Sequence, residues 1–292
     1  MRLAAKWQST WSMALPVPEE GRRSRVRLGG GELVDLIRMG KGQPLVLVPG
    51  LAGSWRLLLP LARRLARRFE VITYGLRGDS FPAPGFGGQQ SDIGDIAGYA
   101  DDLAALIVQL GLESPAVFGV SFGGAIALEL AVEHPSSLGA LIVQGADAKF
   151  GSTIGSSIAR RVLERFPLPA DNQFVNQFFN LLHGAKPEPG PLADFVVERI
   201  WETDQSVMAR RLAQIETFDI SNRLWQIDVP TLVLAASKDA IVSVSRQKLL
   251  AESIPGARLE VVEGAGHIGF LTHASEVVRQ VRRHLHEVNA AV

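Results

Sequence analysis

Two kinds of apolar run alternate along the chain. One kind is short, apolar at nearly every position and bounded by Gly or Pro: PLVLVPG (44–50), EVITYGL (70–76), PAVFGV (115–120), LGALIVQG (138–145), PTLVLAA (230–236) and ARLEVVE (257–263). Apolarity on both faces of a short segment is the mark of a strand covered by helices on each side. The other kind is longer and spaces its apolar residues three and four apart, which predicts helices over 55–69 (despite Pro60), 95–112 (closed by Gly111), 123–135, 245–254 and 274–288. Ahead of them, SRVRL (24–28) and ELVDLIRM (32–39) flank GGG (29–31) and read as a hairpin. Strand–helix alternation of this kind predicts an α/β protein. Its sheet should be open and mostly parallel, doubly wound with helices on both faces, and begun by an antiparallel hairpin.

The rhythm breaks between 146 and 226. SSIARRVLERF and FVVERIW look helical there, KPEPGP (186–191) looks like a loop, and aromatics gather: Phe150, Phe166, Phe174, Phe178, Phe179, Phe195, Trp201 and Phe218. Because the alternation resumes afterwards, the expected organisation is one core from 1–145 and 227–292, with a helical cap, or lid, inserted over 146–226. No internal repeat or low-complexity segment is visible.

Composition narrows the function classes. The 292 residues are 47% hydrophobic, enough for a sizeable core. Lys+Arg and Asp+Glu both number 30, and RRLARR reads as a helix surface, so no nucleic-acid partner is expected. The absence of Cys excludes disulfides, thiolate metal sites and a Cys nucleophile. No run approaches the roughly 18 apolar residues of a membrane span, and Lys6, Gln8, Ser9 and Thr10 interrupt the apolar N-terminal stretch as no export signal would. A cytoplasmic location is the expectation. No metal or organic cofactor is implied, since no His/Asp/Glu cluster has ligand spacing.

The chemistry gathers at Gly119-Val120-Ser121-Phe122-Gly123, a G-x-S-x-G pentapeptide between a predicted strand and a predicted helix. A hydroxyl on such a corner projects above the sheet edge, at the positive end of the following helix. A plain Gly-rich turn with Ser121 as an N-cap is the simpler alternative. A Ser hydroxyl needs a base, normally a His held by a carboxylate, in the chain order Ser, acid, His. Asp239 lies just past the strand 230–236, and His267 lies in GAGH just past the strand 257–263. Asp147 and Glu263 are rival acids, with Asp239 preferred. The backbone N–H groups of Phe122 and Leu51, the latter in PGLAGS (49–54), are the expected oxyanion donors.

Together LVLVPGLAGSW, YGLRGDS, GVSFGGAIALELA, VPTLVLAASKDAIV and VEGAGHIGFL resemble, in order and spacing, the α/β-hydrolase fold superfamily, in its esterase, enol-lactonase and perhydrolase group. The resemblance covers about 24–286; the 146–226 segment matches by position alone. Two departures stand out. Pro49-Gly50 replaces the usual His-Gly, and Gly75-Leu76-Arg77-Gly78-Asp79-Ser80 lacks the leading acid of D-x-R-G-x-G-x-S. A Ser rather than an Asp nucleophile argues against haloalkane dehalogenase and epoxide hydrolase relatives. The resemblance implies a serine hydrolase of the carboxylesterase type, with Ser121, Asp239 and His267 catalytic and a small-molecule acyl substrate in a mostly apolar pocket. Trp55 and Phe122 are candidate pocket walls, with plain core packing an equal alternative for each. Lactonase, carbon–carbon hydrolase or perhydrolase activity is the alternative within the fold, and a slow-turnover ligand receptor is a third reading.

Overall fold

The computed structural model describes residues 21–52, 54–79, 93–165, 180, 182–184 and 190–290. Its eight strands form a single sheet: β1 (Gly21–Arg27), β2 (Leu33–Met39), β3 (Pro44–Val48), β4 (Glu70–Tyr74), β5 (Ala116–Val120), β6 (Ala140–Gln144), β7 (Thr231–Ala236) and β8 (Arg258–Val262). They lie in the order β1-β2-β4-β3-β5-β6-β7-β8. The hairpin is present, with Arg27 opposite Leu33, but β1 begins earlier than the apolar pattern indicated, because exposed Arg22 and Arg23 extend the ladder. β2 joins β4 antiparallel, and the remaining pairs are parallel.

The unbroken apolarity of the strands follows from their alternation between two cores. Val46, Ile72, Val117, Leu141 and Val233 face one core, while Leu45, Leu47, Val71, Phe118, Ile142 and Leu234 face the other. The first is covered by α2 (Ile96–Gln109), α3 (Phe122–Glu133) and α7 (Val244–Ser253). The second is covered by α1 (Leu59–Leu65) and α8 (Ala274–Ala290). α8 shows the expected stripe, burying Val277, Val281 and Leu285 at four-residue intervals. α3 is apolar all round and accordingly buried from Phe122 to Ala131. The run 55–69 is shorter as a helix than its pattern suggested. A 3-10 turn over Trp55–Leu58, capped by Ser54, leads into α1, and Pro60 falls in its first turn, where a missing N–H costs nothing.

Between β6 and β7 the described chain adds α4 (Ile154–Arg165), α5 (Pro191–Ile200) and α6 (Gln205–Thr217), and α4 packs along α6. The stems of this excursion meet: Lys149 forms an antiparallel bridge with Asp219, the Ile220 N–H donates to the Ala148 carbonyl at 3.0 Å, and Lys149 Nζ lies 2.7 Å from Asp219. The proposed loop 186–191 and Phe166, Phe174, Phe178 and Phe179 lie largely or wholly outside the described residues, as do 1–20 and Ser80. Among the described residues no helix is long and apolar enough to cross a membrane.

One consequence of the strand order decides where chemistry can occur. The chain leaves β3 for β4 on one side and returns across it to β5 on the other. This reversal opens a crevice above the carboxyl ends of β3 and β5, the place where ligands bind in sheets of this type.

Candidate active site

Ser121 stands at that crevice, between β5 and α3, with φ 54° and ψ −117°. A non-glycine residue in such backbone costs on the order of 1–3 kcal/mol and persists only where its surroundings over-determine it. They do so here. The Ser121 N–H donates to the Gln144 carbonyl of β6 at 2.8 Å, and its carbonyl accepts from Gly124 at 2.8 Å and Ala125 at 3.2 Å. The flanking glycines are required by close approach. A Cβ on Gly119 would lie 2.2 Å from the Gly123 oxygen, and one on Gly123 would lie 2.3 Å from the Val48 oxygen.

The loops after β7 and β8 bring the other two predicted residues to the same rim. His267 Nε2 is 2.9 Å from Ser121 Oγ, and His267 Nδ1 is 2.8 Å from Asp239 Oδ2. The second oxygen of Asp239 accepts the N–H groups of Ile241 at 2.8 Å and Val242 at 2.9 Å, so the carboxylate is held from both ends. Burial pushes the Asp239 carboxyl up. The hydrogen bond and charge of His267, with the two backbone N–H groups, outweigh that cost and leave its pKa below the ordinary value. Asp239 is therefore ionised and aimed at one ring nitrogen, while the other nitrogen faces the hydroxyl.

The rival acids are elsewhere. Asp147 pairs with Arg246 and accepts from the Lys149 N–H at 3.4 Å, and burial raises its pKa despite the neighbouring cation. β8 ends at Val262, one residue short of the expected strand end, which leaves Glu263 in an exposed turn.

Gly50, Leu51, Ser121, Phe122 and His267 all line one cavity of about 250 Å³, closed on its other sides largely by Leu, Ile, Met, Phe and Trp side chains. Leu51 and Phe122, the expected donors, both line this cavity, and among the described residues no protein acceptor takes a hydrogen bond from either N–H. Phe122 is a wall, as expected, but Trp55 is not. It is buried beneath the guanidinium of Arg56, whose carbon lies 4.5 Å from the ring centroid, and the aromatic walls are instead Phe150, Trp201 and Phe270. Among the described residues two charged side chains, Arg246 and Glu216, line the cavity, and both are committed: Arg246 to Asp147, and Glu216 to Arg160 and Ser156.

Residues 43–274 match the family model of the alpha/beta hydrolase fold. The chain belongs to the α/β-hydrolase fold family. Among its relatives, a protein of Azorhizobium caulinodans named carbamate hydrolase RutD is 31% identical over 245 residues, 78% of this chain and 85% of its own. The 2-hydroxymuconate semialdehyde hydrolase of a Pseudomonas species is 27% identical over 293 residues, 94% of this chain and 96% of its own. Among solved structures, an esterase from Exiguobacterium antarcticum superposes with a TM-score of 0.77 at 23% identity, covering 92% of this chain and all of that one. Family and relatives' names alike support hydrolase activity.

Within this α/β-hydrolase, two supports of the site escaped the sequence reading. Gly145, at the end of β6, has φ +62°, and a Cβ there would lie 2.9 Å from His267 Cε1 and 3.5 Å from Asp239 Oδ2. Gln247 of α7 is fully buried, accepts from the Gly145 N–H at 3.1 Å and donates to the Val242 carbonyl at 2.8 Å. It ties the end of β6 to the loop that carries the acid. Neither has a local sequence signal, since the approach of Gly145 to His267 and the bond from Gly145 to Gln247 each join segments far apart along the chain.

Proposed function

We propose that this protein is a serine hydrolase that cleaves small or medium, uncharged ester-like acyl substrates through an acyl-enzyme. The observation that carries the reading is the continuous hydrogen-bonded series Asp239–His267–Ser121, ending at a cavity. His267 Nε2 takes the proton as Ser121 Oγ attacks the carbonyl carbon. Ionised Asp239 holds the ring and stabilises the imidazolium. The oxygen that gains charge is met by the N–H groups of Leu51 and Phe122, a contact typically worth about 3–4 kcal/mol per donor in the transition state. The imidazolium then protonates the leaving group, and a water activated by the same nitrogen releases the acid. The segment 146–226 serves as the cap, contributing Phe150, Trp201, Met208 and Leu212 to the walls.

The choice of ester over the relatives' substrates rests on charge. A dienoate brings a carboxylate, and no uncommitted cation lines the described cavity to receive it. A cavity of about 250 Å³, just under the roughly 300–1,000 Å³ of drug-sized sites, suits a short to medium acyl chain. The test is a panel of p-nitrophenyl esters beside enol-lactones and dienoates, with Ser121→Ala as control. Ester turnover that vanishes in the variant supports the reading; turnover of dienoates alone, or of esters undiminished in the variant, refutes it.

A further inference from the structure

Among the described residues Arg211 is the largest fully buried side chain, and no step above uses it. It extends from α6, yet its partners all belong to the core beside the reaction centre. Nη1 donates to the Leu51 carbonyl at 3.1 Å. Nη2 donates to the Arg77 carbonyl at 2.9 Å and lies 3.1 Å from Asp79 Oδ1, and Nε donates to the Tyr99 hydroxyl at 3.3 Å. That hydroxyl donates in turn to the Arg77 carbonyl at 3.0 Å, and the Tyr99 ring meets Phe122 edge-to-face, with centroids 5.4 Å apart. The guanidinium carbon is 6.0 Å from the Phe122 centroid. Asp79 is held on its other oxygen by the Leu76 N–H at 3.1 Å, and on the first also by Thr203 Oγ at 3.3 Å.

One side chain therefore reaches both residues whose N–H groups are assigned to the oxyanion: Leu51 directly, and Phe122 through ring contacts. Arg211 is not a cavity wall, and all its donor nitrogens are engaged, so it does not bind substrate. A guanidinium is a rigid planar fork, suited to fixing several acceptors in one geometry. A buried ion pair such as Arg211–Asp79 recovers little net stability after desolvation, which makes geometry its more apt use. Bonding the Leu51 carbonyl restrains rotation about that residue, and with it the direction of the Leu51 N–H.

We propose that Arg211 is a positioning residue that holds the oxyanion donors Leu51 and Phe122 in place, making turnover depend on how α6 is seated against the core. The inference rests on Ser121 acting as the nucleophile described above.

The test uses the full chain, with Arg211→Met and Arg211→Lys. Lysine keeps a cation facing Asp79 but cannot span the Leu51 and Arg77 carbonyls. Active sites are titrated to end point with a fluorophosphonate, so that misfolded protein does not enter kcat. Both variants are expected to lower kcat per titrated site by about 10- to 100-fold, with KM within about threefold. Affinity for a trifluoromethyl ketone, which forms an oxyanion adduct, should weaken by a similar factor. Wild-type kcat per site and ketone affinity in Arg211→Lys would overturn the proposal, as would an Arg211→Met loss confined to the titratable fraction. Ester turnover that survives Ser121→Ala is a different result: it removes the nucleophile assignment, and the positioning role with it.

Discussion

Gly145→Ala separates the geometric account of the site from a merely conformational one. The native φ of +62° is left-handed, which costs an L-residue about 1–2 kcal/mol. The new Cβ would also stand 2.9 Å from His267 Cε1 and 3.0 Å from Nδ1, against ordinary contacts of 3.4 Å or more, so the ring must retreat by about half an ångström. That retreat lengthens one or both of the 2.8 and 2.9 Å bonds that align the imidazole. If a misplacement of about 1 Å costs on the order of 10²-fold, half of it costs roughly tenfold in kcat. The control is Gly256→Ala, whose φ is +68° and whose Cβ would meet nothing within 4 Å. Each variant should lose about 2–6 °C of Tm by calorimetry, but only Gly145→Ala should lose about tenfold in kcat per titrated site. Equal kcat in the two variants would refute the reasoning, because backbone strain alone would then account for both.

Three further outcomes are expected. Asp239→Asn should lower kcat by about 10³–10⁴-fold, while Asp147→Asn, which replaces a partner of Arg246 rather than of His267, should stay within about threefold; steady-state kinetics on one ester distinguish them. Because the folded pKa of Asp239 is depressed, its stabilising contribution is complete above the unfolded value of about 4 and is lost as pH falls through the lower folded value. Asp239→Asn should therefore shallow the acid limb of a Tm-against-pH curve below about pH 4 and leave the slope near neutrality unchanged. Leu212→Phe, which narrows the cavity from α6, should reduce kcat/KM for longer acyl chains more than for acetyl, read from the ester panel.

Much of this was legible in the chain because it is local. Strands such as PLVLV and ALIVQ bury every position or nearly so, and that shows in five residues. The Ser121 corner needs small neighbours two residues away on each side, and that too is written in a pentapeptide. Asp239 and His267 were legible as candidates by their places just past strands, and both lie within hydrogen-bond reach of one another at the rim. What stayed hidden depends on contacts between distant segments. The φ of Gly145 matters only because His267 lies against it, and Gln247 reads as one more polar residue on an amphipathic helix. Arg211 sits in ARRLAQ beside Arg210, where charge suggests a solvated face, yet it is 1% exposed because Asp79 and three oxygen acceptors await it. For Trp55, next to the oxyanion loop in sequence, wall and core packing were equal alternatives; it turns under Arg56 and into the core.

Every proposed step follows from Ser121 being the group that attacks. Fluorophosphonate labelling followed by peptide mass mapping tests this most directly. A single adduct on the peptide bearing Ser121, formed at a rate that collapses in His267→Ala, is the predicted result. Label on another residue, or ester turnover that continues with Ser121 fully blocked, would contradict it.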